Sequence, residues 1–200
     1  MKSYMEFILT EETKMMLPIT TKLGDSGTLI IHGQTLYVYP TLPIKVIDFN
    51  LRRNHSSLRG AKDSVAHLLG SVSMYPVVLC AAQRHIWFSS EAFKNDTCAW
   101  IALHHVRKLT PYNDQKTTVH LNGGWQVTIS VPYNSLKNRL NQAHLLRSLT
   151  MQSTFRYSEV EKHKRLMMLY DRYRVEYELN DKKIQLNDLN DKHFSIIKVD

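Results

Sequence analysis

The stretch Thr117-Thr-Val-His-Leu-Asn-Gly-Gly-Trp-Gln-Val-Thr-Ile-Ser-Val131 carries the clearest structural signal in the chain. Its second half alternates apolar and polar side chains from Trp125 onward, which is the period of a strand with one buried face. An Asn-Gly pair between two such runs favours a tight turn, because both residues tolerate positive φ. The sequence therefore predicts an antiparallel hairpin around Asn122-Gly123-Gly124.

Short β-rich runs recur on the N-terminal side of this hairpin. Thr28–Ile31 and Thr35–Tyr39 flank His32-Gly33-Gln34, which predicts a second hairpin with a short glycine-containing loop. We expect Trp100 and Trp125 to lie on strands in the core of the sheet. The remaining predicted strands are Ile44–Phe49, Val77–Cys80, Arg84–Phe88 and Ala99–Val106.

A short basic helix is predicted between these strands. Ser56 or Ser57 is a suitable N-cap, the helix ends at Leu69, and Gly70 follows as its C-terminal stop. We expect its apolar face to consist of Leu58, Ala61, Val65, Leu68 and Leu69.

Helices are also predicted after the main hairpin. Asn134 is a natural N-cap for a helix from Ser135 to about Gln152, and a second helical stretch is expected from about Ser158 to Tyr177. The acidic tail beyond has weak periodicity and is expected to be loosely ordered. The apolar stripe of the first of these helices consists of Leu136, Leu140, Ala143, Leu146 and Leu149.

These elements predict an α+β fold, with a mainly antiparallel sheet, a short basic helix and C-terminal helices. The chain has 200 residues, of which 43% are hydrophobic, so it is not a wholly disordered protein. We expect a DNA-binding α+β domain over residues 1–155. A C-terminal helix and acidic tail over residues 156–200 would serve oligomer formation or regulation.

Positive charge is concentrated in one part of the chain. The net charge is +8, and residues 101–175 hold twelve Lys or Arg against four Asp or Glu. Such a concentration is typical of proteins that bind nucleic acid or another anionic surface. A well-solvated basic face produces the same signal.

Candidate phosphate contacts cluster at the start of the first predicted helix and on the helix that follows the main hairpin. Lys and Arg neutralise phosphates, and Arg can enter the narrow minor groove of A·T-rich DNA. His55, Ser56 and Ser57 add small polar donors beside the first cluster. The candidate DNA-binding residues are Arg52, Arg53, Arg59 and Lys62, followed by Lys137, Arg139 and Arg147.

No sequence motif points to an enzyme, a metal site or a bound cofactor. The phosphate-binding patterns GxGxxG and GxxxxGK[ST] and the nucleophile pattern GxSxG are absent. His104 and His105 are adjacent on a predicted strand, so we expect their side chains to point to opposite faces, unlike ligands of one metal ion. We therefore expect no catalytic residue, no metal and no cofactor.

The compartment is inferred from three further features. The first residues contain Glu6, Glu11 and Glu12 rather than the apolar region of a secretion signal, and no apolar run reaches the roughly 18–20 residues of a membrane helix. Cys80 and Cys98 then read as free thiols. We expect a cytoplasmic protein that is associated with the nucleoid when it is bound to DNA.

Several segments together resemble a known family. They are Tyr37-Val-Tyr-Pro-Thr41, Ile44-Lys-Val-Ile-Asp48, Ser56-Ser57 with Gly60 and Lys62, Trp100-Ile-Ala-Leu-His-His-Val106, Asn122-Gly123, Val131-Pro-Tyr-Asn-Ser135 and Met168-Leu-Tyr170. In order and spacing, from about Thr35 to Tyr170, the chain resembles the ComK proteins, the competence transcription factors of Gram-positive bacteria. It departs from them at Leu58, which replaces an aromatic residue, and at Ala61, which stands where an arginine is expected.

The resemblance implies a specific function. Family members activate the genes for DNA uptake and bind paired A·T-rich boxes of double-stranded DNA, largely through the minor groove. They bind as a dimer on each box pair and a tetramer on the full site, and RNA polymerase is the implied partner. An adaptor delivers them to a Clp protease, and the matching adaptor-binding residues here are Met167, Met168, Leu169 and Tyr170, followed by Asp171 where the family has a proline.

Two other functions stay open on the sequence alone. One is a protein-interaction or regulatory module that does not bind DNA. The other is an enzyme of unrecognised type, such as a nuclease, which normally needs paired acidic metal ligands. Acidic residues near the basic zone are sparse, namely Asp114, Glu159, Glu161 and Asp171.

Overall fold

The computed structural model describes residues 7–20, 24–70, 74–80, 85–160 and 194–198, with the side chains of 151–160 excepted. Within these ranges the chain forms two antiparallel sheets and three α-helices. This confirms the predicted α+β fold, with two separate sheets in place of the one expected.

The first sheet contains six strands in the order β3-β2-β1-β6-β5-β4. Every neighbouring pair in it is antiparallel, and the β2–β3 pair is the hairpin predicted around Gly33. The strands are β1 (Thr13–Thr20), β2 (Ser26–His32), β3 (Thr35–Tyr39), β4 (Val77–Cys80), β5 (His85–Ser89) and β6 (Trp100–Ala102).

The second sheet contains four antiparallel strands in the order β10-β9-β8-β7. Its β8–β9 pair is the hairpin predicted around Asn122-Gly123-Gly124. The acidic tail was expected to be loosely ordered, but its residues 194–198 pair with β9 as an edge strand. The strands are β7 (Val106–Asn113), β8 (Lys116–Leu121), β9 (Trp125–Ile129) and β10 (Phe194–Lys198).

The helices are α1 (Pro43–Arg53), α2 (Leu58–Leu69) and α3 (Tyr133–Val160), with a short 3₁₀ turn at Leu103–His105. The prediction for α2 is confirmed, since Ser57 is its N-cap and Gly70 its C-cap. Ala61 and Val65 are buried as expected, whereas Leu68 is 43% exposed and does not belong to the apolar face.

The predicted strand Ile44–Phe49 is wrong, because these residues form the middle of α1. The run of β-branched residues suggested a strand. However, buried Val46, Ile47, Asn50 and Leu51 recur at helical spacing. Pro43 at the start of α1 also favours a helix, since its fixed φ suits the first helical position and its missing N–H costs nothing there.

Two predicted boundaries also need correction. Helix α3 begins at Tyr133, so Asn134 lies inside the helix, and it runs without a break to Val160 instead of ending near Gln152. The predicted strand Ala99–Val106 is divided by the 3₁₀ turn, which separates β6 in the first sheet from β7 in the second. The predicted helix to Tyr177 lies outside the described residues beyond Val160.

The core contains the tryptophans expected there. Trp87 and Trp100 are fully buried in the first sheet, and Trp125 is 3% exposed in the second. The indole Nε1 of Trp125 donates a hydrogen bond to the carbonyl of Gly33 over 3.1 Å, which ties the second sheet to the β2–β3 turn. The two sheets are therefore joined directly by a side-chain hydrogen bond.

Candidate nucleic-acid interface

The cations of helix α1 are exposed because its opposite face is buried. Asn50 is 2% exposed and its amide binds the N-terminal segment, accepting from the Leu9 backbone N–H over 2.9 Å and donating to the Phe7 carbonyl over 2.9 Å. Arg52 and Arg53, in the last turn, are exposed. Cations at this end are also favoured by the helix dipole.

A four-residue connector turns the chain from α1 into α2. His55 adopts a left-handed conformation with φ of 59°, and the backbone N–H of Ser56 donates to the carbonyl of Leu51 over 2.9 Å. The side chain of Asn54 donates to the Asn50 carbonyl over 2.8 Å. These bonds satisfy the last carbonyls of α1 and set where α2 begins.

Asp48 joins the two helices electrostatically. One of its carboxylate oxygens accepts from Arg52 Nε over 2.8 Å, and the other accepts from the backbone N–H of Leu58 over 3.3 Å. The Asp48 carboxylate thus bridges the guanidinium of Arg52 and the first turn of α2. Since Arg52 remains 69% exposed, the pairing orients its side chain without removing it from solvent.

The first turn of α2 completes the cluster. Ser57 Oγ accepts from the Gly60 backbone N–H over 3.1 Å, which fixes the start of the helix. Arg59 and Lys62 are exposed and lie three positions apart, so they share one side of α2. We call Arg52, Arg53, Arg59 and Lys62 the α1–α2 basic patch.

The three candidate cations of α3 lie in different environments. Lys137 is exposed, with its ammonium 5.6 Å from the centre of the Tyr133 ring, and Arg147 is half-buried. Arg139 is half-buried, and its Nη2 lies 3.1 Å from the sulfur of Met74. Burial lowers the pKa of Arg139, while nearby Cys98 and Glu91 oppose that shift. Its position is that of a packing residue.

Three histidines form a stack near the start of the second sheet. His85 and His104 are stacked with ring centroids 5.4 Å apart, and the rings of His104 and His105 are 4.2 Å apart. Both His104 and His105 point an Nε2 at the carbonyl of Glu11, at 3.0 and 2.6 Å. The expectation that these two side chains point to opposite faces is wrong, because the 3₁₀ turn replaces a strand there.

Burial sets the ionisation of this stack. It lowers the pKa of His105 to about 4, with His104, Lys14 and His85 adding repulsion and the hydrogen bond to Glu11 opposing them. In the described part of the chain no group of three or more His, Cys, Asp or Glu side chains is arranged to hold a metal ion. Among the three rings, burial therefore keeps His105 uncharged at neutral pH.

The cysteines are unpaired. Cys80 and Cys98 are both free thiols, and burial raises the pKa of Cys98 to about 11, which makes it a weak nucleophile. Of the helices that the structure describes, none combines the length and the apolar character needed to cross a membrane.

A family model described as ComK protein matches residues 4–154. The chain belongs to the ComK family. ComK proteins are transcription factors of competence and not an enzyme family, so the regulatory role expected from the resemblance is confirmed at that level. Searches of the curated proteins and of the solved structures gave no match.

The ComK match covers the whole α1–α2 basic patch and the candidate cations of α3. It ends before the adaptor-binding candidates Met167, Met168, Leu169 and Tyr170, which also lie outside the described residues. The resemblance noted in the sequence therefore reaches Tyr170, whereas the family model matches the chain only as far as residue 154.

Sequence reasoning missed the small polar residues that build the patch. Asp48 was assigned to a strand, and Asn50 had no assigned role. A helical interpretation of Pro43–Arg53 would have revealed the role of Asp48, because Asp48 and Arg52 are four apart and an acid before a base at that spacing indicates an ion pair.

Proposed function

We propose that this ComK family member activates competence genes by binding A·T-rich double-stranded DNA with its α1–α2 basic patch. The observation that carries the proposal is the arrangement of Arg52, Arg53, Arg59 and Lys62 on two consecutive helix ends joined by a four-residue turn. Exposed guanidinium and ammonium groups at such a turn suit the phosphates along one groove.

The proposed preference for the minor groove follows from the arginines of the α1–α2 basic patch. Arg52, Arg53 and Arg59 supply planar guanidinium groups, which are attracted to the enhanced negative potential of a narrow A·T-rich minor groove. Lys62 is a compact charge on a flexible stem and suits a phosphate. Lys137 and Arg147 on α3 are proposed as further phosphate contacts, and Arg139 is not, because it is packed against Met74.

The assembly and the partners are part of the same proposal. We propose a homodimer on each pair of A·T-rich boxes and a tetramer on a complete site, with RNA polymerase as the protein partner there. The segment Met167-Met-Leu-Tyr170 is proposed to bind an adaptor of a Clp protease. The protein would act in the cytoplasm, at the nucleoid.

The test is the affinity of the full chain for two duplexes of equal length, one with A·T-rich boxes and one G·C-rich, across a salt series. Tighter binding to the A·T-rich duplex, with affinity falling steeply as salt rises, is expected. Six phosphate contacts predict a log–log slope of about −5, at roughly −0.9 each. Absence of duplex binding at low salt, together with a stable oligomer on sizing, would instead favour a protein-interaction module.

A further inference from the structure

The second sheet presents a polar outer face. Along β8 the buried side chains Thr117, Val119 and Leu121 alternate with half-exposed ones on the opposite side. The neighbouring strands continue this side through their paired positions. The outer face of the second sheet, as used below, consists of Lys108, Thr110, Lys116, Thr118, His120 and Thr128.

Hydrogen bonds hold this face rigid. Thr110 Oγ1 and His120 Nε2 are 2.8 Å apart across β7 and β8, and the hydroxyl oxygens of Thr118 and Thr128 are 2.8 Å apart across β8 and β9. A face whose polar groups are already oriented loses little conformational entropy when it binds a polar ligand.

The charge on this face has one sign. The four strands of the sheet contain no Asp or Glu, whereas β7 and β8 carry exposed Arg107 and Lys108 and half-exposed Lys116. Within the part of the chain that the structure describes, neither lysine is held in an ion pair. The nearest acid in sequence is Asp114, in the turn between the two strands. An uncompensated cationic face favours a polyanionic ligand.

The β7 edge of the same sheet is unsuited to pairing with a second copy of the chain. Strand β7 ends the sheet, but Pro111 cannot donate to a new strand, and the pairing with β8 is irregular near Val106 and again near Pro111. Charged Arg107 and Lys108 on the strand further discourage edge-to-edge pairing. These features favour the outer face over the β7 edge as a binding surface.

Tyr112 marks one end of this surface. It is 67% exposed near the end of β7, where Asn113 pairs with Lys116. An exposed aromatic ring beside cations is a common feature of nucleic-acid-binding surfaces. It also provides a position at which a bulky probe can replace the native ring without disturbing the core.

We propose that the outer face of the second sheet is a second contact surface for duplex DNA, with Lys108 and Lys116 on two separate phosphates. Lys108 lies opposite His120, and Lys116 is four residues from His120 along β8, so the lysines are about 13 Å apart along the strand direction at 3.3 Å per residue. The proposal rests on the proposed function in taking duplex DNA as the ligand. It adds a surface that the α1–α2 basic patch does not include.

The test compares the double variant Lys108→Ala/Lys116→Ala with the wild type on the A·T-rich duplex across a salt series. Loss of two phosphate contacts should reduce the magnitude of the log–log slope by about 1.8. Lys94→Ala is the matched control, since Lys94 is an exposed cation in the loop between β5 and β6, and its slope should equal that of the wild type. A slope unchanged in the double variant, or a change confined to its oligomeric state, would overturn the proposal.

A second measurement locates the surface directly. The photoreactive residue p-benzoylphenylalanine replaces Tyr112 in one variant and Lys94 in another, and each is irradiated on the duplex. Crosslinking from position 112 and not from position 94 is expected, and the reverse pattern would contradict the second surface.

If the wild type binds no duplex at low salt, the proposed function fails. If the wild type binds but both tests are negative, only the second surface fails.

Discussion

Ser57 and Asp48 fix the first turn of α2 with two different hydrogen bonds. Ser57 Oγ accepts from the Gly60 backbone N–H, and Asp48 accepts from the Leu58 backbone N–H while it orients Arg52. The position of Arg59 and Lys62 on the molecule therefore depends on two short side chains that do not themselves carry positive charge.

Replacing Ser57 with alanine should lower the free energy of unfolding by about 1 kcal/mol, because the side-chain cap of α2 is lost. Ser64→Ala is the control, since Ser64 is exposed in the middle of the same helix, where alanine is the better helix former. Denaturant unfolding of the two variants measures the difference. Equal stability of both variants would show that the Ser57 bond does not anchor α2.

The histidine stack should make stability dependent on pH. The pKa of His105 is lowered to about 4 in the folded chain, against 6.5 ordinarily, so the unfolded state binds more protons between these values. Stability contributed by the neutral ring is complete above pH 6.5 and is lost as the pH falls toward 4. Burial also lowers the pKa of His85, which acts in the same direction.

The variant that tests this pH dependence is His105→Gln, whose side-chain amide can still donate to the Glu11 carbonyl. Denaturant midpoints measured from pH 7 to pH 4 should fall less steeply for this variant than for the wild type. His67→Asn, at an exposed position of α2, should retain the wild-type pH profile. A wild-type midpoint that does not change over this range would contradict the role of the stack.

Replacing Arg139 tests whether its side chain packs within the fold or contacts DNA. Its side chain is half-buried and its Nη2 contacts the Met74 sulfur, so Arg139→Ala should lower the free energy of unfolding through the lost contact. The same variant should retain the wild-type salt slope of DNA binding. A reduced slope with unchanged stability would assign Arg139 to the interface after all.

At the level of secondary-structure elements, two glycines differ in whether alanine can replace them. Gly123 in the β8–β9 turn has φ of +77°, and a Cβ there would lie 2.6 Å from the Gln34 side-chain nitrogen. Gly60 lies in α2, where an added Cβ meets only ordinary contacts, 3.4 Å from Ser56 Oγ at the nearest. Gly123→Ala should therefore destabilise the fold by about 1–2 kcal/mol, and Gly60→Ala should stabilise it by up to about 1 kcal/mol. Thermal unfolding of both variants tests this difference in sign.

Elements with a local signal were predicted well from the sequence. Both hairpins follow from turn glycines between alternating strands, and α2 follows from Ser57 and Gly70, because in each case the deciding contacts lie a few residues apart. Helix α1, strand β1 and strand β10 were missed. The side of α1 that is buried depends on Leu9, some forty residues away, and β10 pairs with a strand more than sixty residues earlier. Such long-range contacts leave little trace in local sequence pattern.

The candidate site was predicted in part for the same reason. Its four cations were identified as residue types, and their exposure agrees with that choice. The turn that brings Arg52 beside α2 required Asp48 in a helix, but the β-branched residues around Asp48 favoured a strand. For Arg139, charge alone could not separate a surface cation from a half-buried one whose guanidinium contacts Met74.

Over the part of the molecule that the structure describes, exposed cations lie on the second sheet as well as on the α1–α2 basic patch. The excess within residues 101–175 supplies Arg107, Lys108 and Lys116 on the second sheet, whereas the α1–α2 basic patch comes from the first hundred residues. If both surfaces contact one duplex, the wild-type slope should be nearer −7 than −5, since eight phosphates are then neutralised at roughly −0.9 each.

The most direct measurement of the central claim is the salt dependence of binding to the A·T-rich duplex for the double variant Arg59→Ala/Lys62→Ala, beside the wild type and Lys94→Ala. We expect the double variant to bind more weakly at every salt concentration, with a slope smaller in magnitude by about 1.8, and we expect the control to be unchanged. A double variant that binds with the affinity and slope of the wild type would contradict the α1–α2 basic patch as the DNA-binding surface.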